Sequence, residues 1–161
     1  MKNLSIFLEE YHKNISLMRQ DVSANAQIRT NIKNAVGELL RLAEISRHEG
    51  LMDLDYELEN MDGSLLLKEE LGKIITLIVN GTVSDMIEEI SLKRYYSRAY
   101  SGTEAVIFLL YLDICLEIQR GDYPLLMEEN IRAILPEELK QEIDAAVAER
   151  EAERRAGSKP R

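Results

Sequence analysis

Residues 105–118, AVIFLLYLDICLEI, constrain the fold of this chain more than any other stretch. The run is apolar nearly all round a helix, yet it carries Asp113 and Glu117 and falls short of the ~20 residues needed to cross a bilayer. It predicts a helix at the centre of a core. Ser101 followed by Glu104 has the form of a capping box at its start, and Gly121 is placed to stop it. Cys115, the single cysteine, lies inside the run, which excludes an internal disulfide and predicts a buried thiol.

A core helix needs partners, and the flanking sequence supplies them. Leu4, Leu8, Tyr11, Ile15, Met18 and Val22 alternate steps of four and three, the seam of a helix that meets another helix, either in this chain or in a second copy. Residues 21–25 interrupt the rhythm with Asp, Ser and Asn, so a kink or short loop is expected there. A second seam, Ile28, Ile32, Ala35, Leu39 and Leu42, widened by Val36 and Ala43, predicts a helix over 27–49 that Gly50 would end. Leu51, Leu54 and Leu58 then form one stripe, with Asp53, Asp55, Glu57 and Glu59 on the other faces of a short acidic amphipathic helix.

After a turn at Asp62 and Gly63, Leu66, Leu67, Leu71, Ile74, Ile75 and Ile78 predict a helix closed by Asn80 and Gly81. Thr82 with Asp85, or Ser84 alone, would cap the next one, which runs on to Tyr96. Pro124 suits the first turn of a helix reaching Leu135, and Pro136 opens a last one that becomes highly charged beyond Val147. Residues 156–161 read as a frayed tail. No segment sustains strand alternation. The expectation is an all-α fold, an irregular bundle of about seven helices in a single domain over 1–155, with an N-terminal helix over 1–22 and C-terminal helices over 101–155. At 161 residues such a domain buries roughly 70% of its unfolded surface and folds without metals or disulfides.

Charge narrows the partners. A formal net charge of −9 repels nucleic acid and anionic lipid and attracts basic protein surfaces. The first twenty residues lack the uninterrupted apolar stretch of an export signal, so a cytoplasmic location is expected. The two histidines, His12 and His48, stand in no HxxxH pattern, and Glu9 with His12 gives one Glu-x-x-His where a di-iron bundle needs two. No phosphate-cradling glycine loop occurs. No metal, no cofactor and no enzymatic activity are therefore expected. Tyr95, Tyr96 and Tyr100, interleaved with Lys93, Arg94 and Arg98, make one basic aromatic patch, read as structural or protein-contacting on so acidic a chain.

The stretch 43–60, AEISRHEGLMDLDYELEN, followed by LGKIITLIVNGTVSDMIEEI over 71–90, resembles the cytoplasmic region of the flagellar stator subunit, motor protein A of the MotA/TolQ/ExbB proton-channel family. The motif in that family is of the form A-x-x-x-R-x-x-G-L-x-x-L-E ahead of a helix ending near a V-[DN]-G turn. Arg47 falls on its arginine, Gly50 and Leu51 on its Gly-Leu pair, Asp55 on its glutamate, and residues 79–81 on its glycine turn. The likeness spans 28–98, under half of the chain, and the family's four membrane helices have no counterpart. It implies a stator-like region over 27–98 and a charged contact with a flagellar rotor switch or stator component through Arg47, Asp53, Asp55 and Glu57. It carries no channel activity. The remaining expectation for Arg47 is a local pair with Glu44, and the remaining partner is a second copy of the chain joined through the N-terminal seam.

Overall fold

The computed structural model describes residues 3–22 and 26–157. Among them are seven α-helices, two 3₁₀ helices and no strand: α1 (Leu4–Val22), α2 (Ala26–Glu49), a 3₁₀ helix (Leu51–Glu57), α3 (Lys68–Val79), α4 (Ser84–Ser97), α5 (Thr103–Arg120), α6 (Pro124–Ile134), a 3₁₀ turn (Glu137–Leu139) and α7 (Lys140–Arg155). The all-α bundle expected from periodicity is the observed fold. No helix is long and apolar enough among these residues to cross a membrane. The interruption expected at 21–25 lies largely outside the described residues, as do 158–161 of the expected tail.

Every residue of α5 from Ala105 to Ile118 is buried. Helices α1, α2, α3, α4 and α6 all pack against it, while α7 docks on the outer side of α2. One apolar cluster runs from Phe7 in α1 to Ala146 in α7. Gly121 ends α5 in the left-handed conformation (φ 84°), where the N–H groups of Gly121 and Asp122 reach back to the carbonyls of Ile118 and Glu117, both at 3.1 Å. A side chain there would be strained, which is why glycine closes this helix. The Cys115 thiol is buried in the same helix, and burial pushes it up to about 12.

The α2 seam is buried as its spacing requires. The α1 seam is not. Tyr11 and Met18 are buried, but Leu4 and Leu8 stand in the open, and Phe7 and Asn14 take the inward positions instead. Asn14 explains the rotation. Its Nδ2 donates to the Tyr95 hydroxyl at 3.0 Å and its Oδ1 accepts the Gly102 N–H at 3.0 Å, so an amide occupies a core position that a count of apolar residues passes over. The same contact corrects the capping expectation. Helix α5 starts at Thr103 with no side-chain cap, and the N–H of Gly102 just before it donates to Asn14 of the neighbouring helix. Helix α4 likewise starts after extended Val83 without a cap from Thr82 or Ser84.

Candidate protein-contact face at the end of the second helix

Helix α2 breaks at Gly50, which adopts φ 96° and ψ 166° while its N–H still donates to the Ser46 carbonyl at 2.9 Å. That positive φ sends the chain across the end of α2 into Leu51–Glu57. This element is a 3₁₀ helix, and its three-residue turn decides what each acid does. Residues three apart eclipse one another, so Leu51, Leu54 and Glu57 fall on one face, and that face is turned inward against α2 and α3. Leu54 and Glu57 are both buried, Glu57 completely.

Glu57 therefore cannot serve as a partner contact, contrary to the expectation from its place in the acidic stretch. An α-helical period would have put Leu58 beneath the stripe and Glu57 in water. The tighter period exchanges them in part. Arg41 of α2 meets the buried carboxylate, with Nη1 to Oε1 at 2.5 Å, and its other edge holds Glu38 at 2.6 Å. Burial alone would lower the Arg41 guanidinium, but the hydrogen bonds and charges of Glu38 and Glu57 outweigh it and raise it above its ordinary value. The cluster fastens the 3₁₀ helix to α2. A buried charge without such partners would cost several kcal/mol.

The other three expected residues reach the surface. Asp53 is half-buried and Asp55 exposed. The faces that carry them also carry Met52 and Tyr56, 66% and 68% exposed. Arg47 is exposed on the last turn of α2, and its expected pair with Glu44 does not form: Glu44 is buried and accepts Arg150 and Arg154 of α7, each at 3.2 Å. The Arg47 guanidinium instead lies over the ring of Tyr123, 4.7 Å from its centroid. Tyr123 precedes α6 and is itself 64% exposed, with Leu125 and Leu126 exposed after it. Sequence reasoning missed Tyr123, because nothing local to 39–60 points to a residue so far along the chain.

The tyrosine patch is taken apart by the fold. Tyr95 is buried, its hydroxyl donating to Glu10 at 2.9 Å, and burial followed by the Glu10 charge raises its pKa. Arg94 is bound to Glu70 and Lys93 to Glu89, leaving Tyr96 as the exposed ring of α4. Tyr95 and Arg94 fix α4 to α1 and α3. A second polar feature escaped the sequence reading: Asp113 and Glu117, one turn apart on α5, are both buried, and Asn130 of α6 donates to Glu117 at 2.5 Å. Their negative charge, after burial itself, raises the Tyr11 hydroxyl well above its ordinary range. No group of three metal-ligating side chains gathers among the described residues.

Around Gly50 the end of α2 thus presents one arginine on an aromatic ring, and the 3₁₀ helix after it presents two acids and two exposed apolar side chains. Comparison of the chain with protein-family models, with curated proteins and with solved structures gave no match.

Proposed function

We propose that this chain is a protein-interaction module whose contact face is Arg47 with Tyr123, Met52, Asp53, Asp55 and Tyr56. The observation that carries the reading is Arg47 itself. It belongs to no ion pair among the described residues and is displayed on an exposed tyrosine. Arginine and aromatic side chains of this kind dominate binding energy at protein interfaces. The resemblance in 43–60 and 71–90 names the partner class, a component of the flagellar rotor or stator with a basic patch for the two acids.

Binding of the purified chain to the torque-bearing domain of a rotor switch protein is the test. Arg47→Glu and Asp55→Lys are expected to weaken it without shifting Tm, and the wild-type affinity is expected to fall as salt rises. Absence of wild-type binding at moderate salt, or affinity indifferent to salt, overturns the motor partner. A second copy of the chain is the alternative partner, favoured by exposed Leu4 and Leu8 on α1. Removing α1 would strip Phe7, Tyr11 and Met18 from the core, so the informative variant is Leu4→Glu with Leu8→Glu. An oligomer that dissociates in this variant by light scattering supports self-association; a monomeric wild type excludes it.

A further inference from the structure

Away from that face, a groove of about 640 Å³ opens between α3 and α4 and reaches down to Phe108 of the central helix. Leu58, Met61, Ile74, Leu77 and Ile90 make its walls apolar. This volume lies in the range of sites that enclose small organic molecules. Three cations border it: Lys68, Lys73 and Arg94. On a chain of net charge −9, most described arginines are bound to carboxylates, yet among the described residues Lys73 has no ion-pair partner and Lys68 has only the more distant charge of Asp62. Glu69 stands one turn from Lys73 and does not engage it. Glu70 engages only part of Arg94: Nη2 meets Oε1, while Nε makes no hydrogen bond. The groove therefore joins an apolar interior to a rim of three cations and two carboxylates, net positive on a chain that is net negative.

Gly72 adds a second, independent sign. It sits inside α3, where glycine is among the least favourable residues. Close packing does not require it, since a methyl group there would meet Leu58 Cδ2 and Met61 Cε at 3.8 Å, an ordinary contact. A longer side chain at this position would project between two of the groove's own wall residues and fill the space. The glycine keeps the groove open.

We propose that the groove binds a single-chain amphiphile, an unbranched hydrocarbon tail with a carboxylate head of the fatty-acid class. The tail lies along Leu58, Met61, Leu77 and Ile90, and the head is met by Arg94 with Lys68 and Lys73. The volume favours a small amphiphile over a partner helix, and the net-positive rim favours a carboxylate over a neutral or cationic head.

Titration calorimetry with dodecanoate below its micellar concentration, set beside dodecanol and dodecyltrimethylammonium, tests this on the whole chain. One equivalent of dodecanoate is expected to bind, and the other two amphiphiles at least about tenfold more weakly, as befits loss of a charge-assisted hydrogen bond. Gly72→Leu should abolish binding. Gly72→Ala should retain it and raise Tm by about 2–4 °C, the gain of replacing a helical glycine in a domain of this size. Lys68→Glu with Lys73→Glu alters only exposed or half-buried positions, leaves the core intact and should cut affinity about tenfold or more, so the proposal stays testable if Gly72→Leu unfolds. Unchanged binding in a folded Gly72→Leu, equal affinity for the three head groups, or binding of an acidic amphipathic peptide in place of dodecanoate would overturn it.

Discussion

Arg41 and Arg47 lie on the same helix within two turns of each other, and the fold treats them oppositely. Arg41 is largely buried between Glu38 and Glu57, and its guanidinium ties the 3₁₀ helix to α2. Arg47 lies exposed on the face of Tyr123, with no ion-pair partner among the described residues. Both are arginines in an acidic neighbourhood, so charge pattern does not separate them. What separates them is the break at Gly50, after which the chain folds Glu57 back toward Arg41 and turns Asp55 outward. One arginine is a strut of the fold and the other is available to a partner.

The largest effect that tests this contrast is on stability. Arg41→Ala removes the cation that Glu38 and buried Glu57 share and is expected to cost about 3–5 kcal/mol, lowering Tm by roughly 6–20 °C. Pairing Arg41→Met with Glu57→Leu should recover only part of the loss, because Glu38, its side chain 9% exposed, still loses its arginine. Thermal unfolding followed by circular dichroism reads both variants. Cys115 offers a chemical check: buried and with its thiol pushed up to about 12, it should resist thiol reagents at pH 8 in the wild type and react faster in Arg41→Ala. A Tm within a degree of wild type for Arg41→Ala would break the distinction between the two arginines.

An intermediate effect is expected at Glu44, which the sequence offered to Arg47 and the fold gives to α7. Glu44→Gln weakens the contacts to Arg150 and Arg154, each at 3.2 Å, and should cost about 1.5–3 kcal/mol, the range for hydrogen bonds to charged groups. Arg150 is nearly as buried as Glu44 and keeps Glu153 at 2.6 Å, which holds the loss below that at Arg41. If Glu44→Gln instead left stability unchanged while weakening partner binding, Glu44 would belong to the displayed group.

These cases show where sequence periodicity carries the fold and where it stops. The α2 seam, the all-round burial of α5 and the glycine closure at Gly121 are local properties, each settled by residues within a few positions, and all three were legible. The inward face of α1 was misread because Asn14 is polar and yet buried, held by Tyr95 and Gly102 from elements far along the chain. Glu57 was misread for a different reason: the leucines at 51, 54 and 58 follow a period of 3.6, which leaves Glu57 off their stripe, whereas the period of 3.0 puts Glu57 in line with Leu51 and Leu54. Of the contact face, Arg47, Asp53 and Asp55 were legible as charges beside a break. Tyr123 was not, since only the packing of α6 against α2 brings it under Arg47.

The smallest effect is the most specific to the displayed arginine. Arg47→Ala and Tyr123→Ala should each leave the core untouched, since both side chains are exposed, and each should shift stability by no more than about 0.5–1 kcal/mol. The double variant then measures their coupling. A guanidinium 4.7 Å from a ring centroid at an exposed site is worth about 0.5–1 kcal/mol, so the two single effects should exceed the double by that amount. The interaction draws on the ring face rather than on a countercharge, and that makes salt the discriminating variable. Raising ionic strength should scarcely change the coupling, whereas it should weaken binding of a basic partner to Asp53 and Asp55. A coupling that disappears in salt would mean that Arg47 is held by a carboxylate in solution, in which case it is a strut like Arg41 and the face loses its arginine.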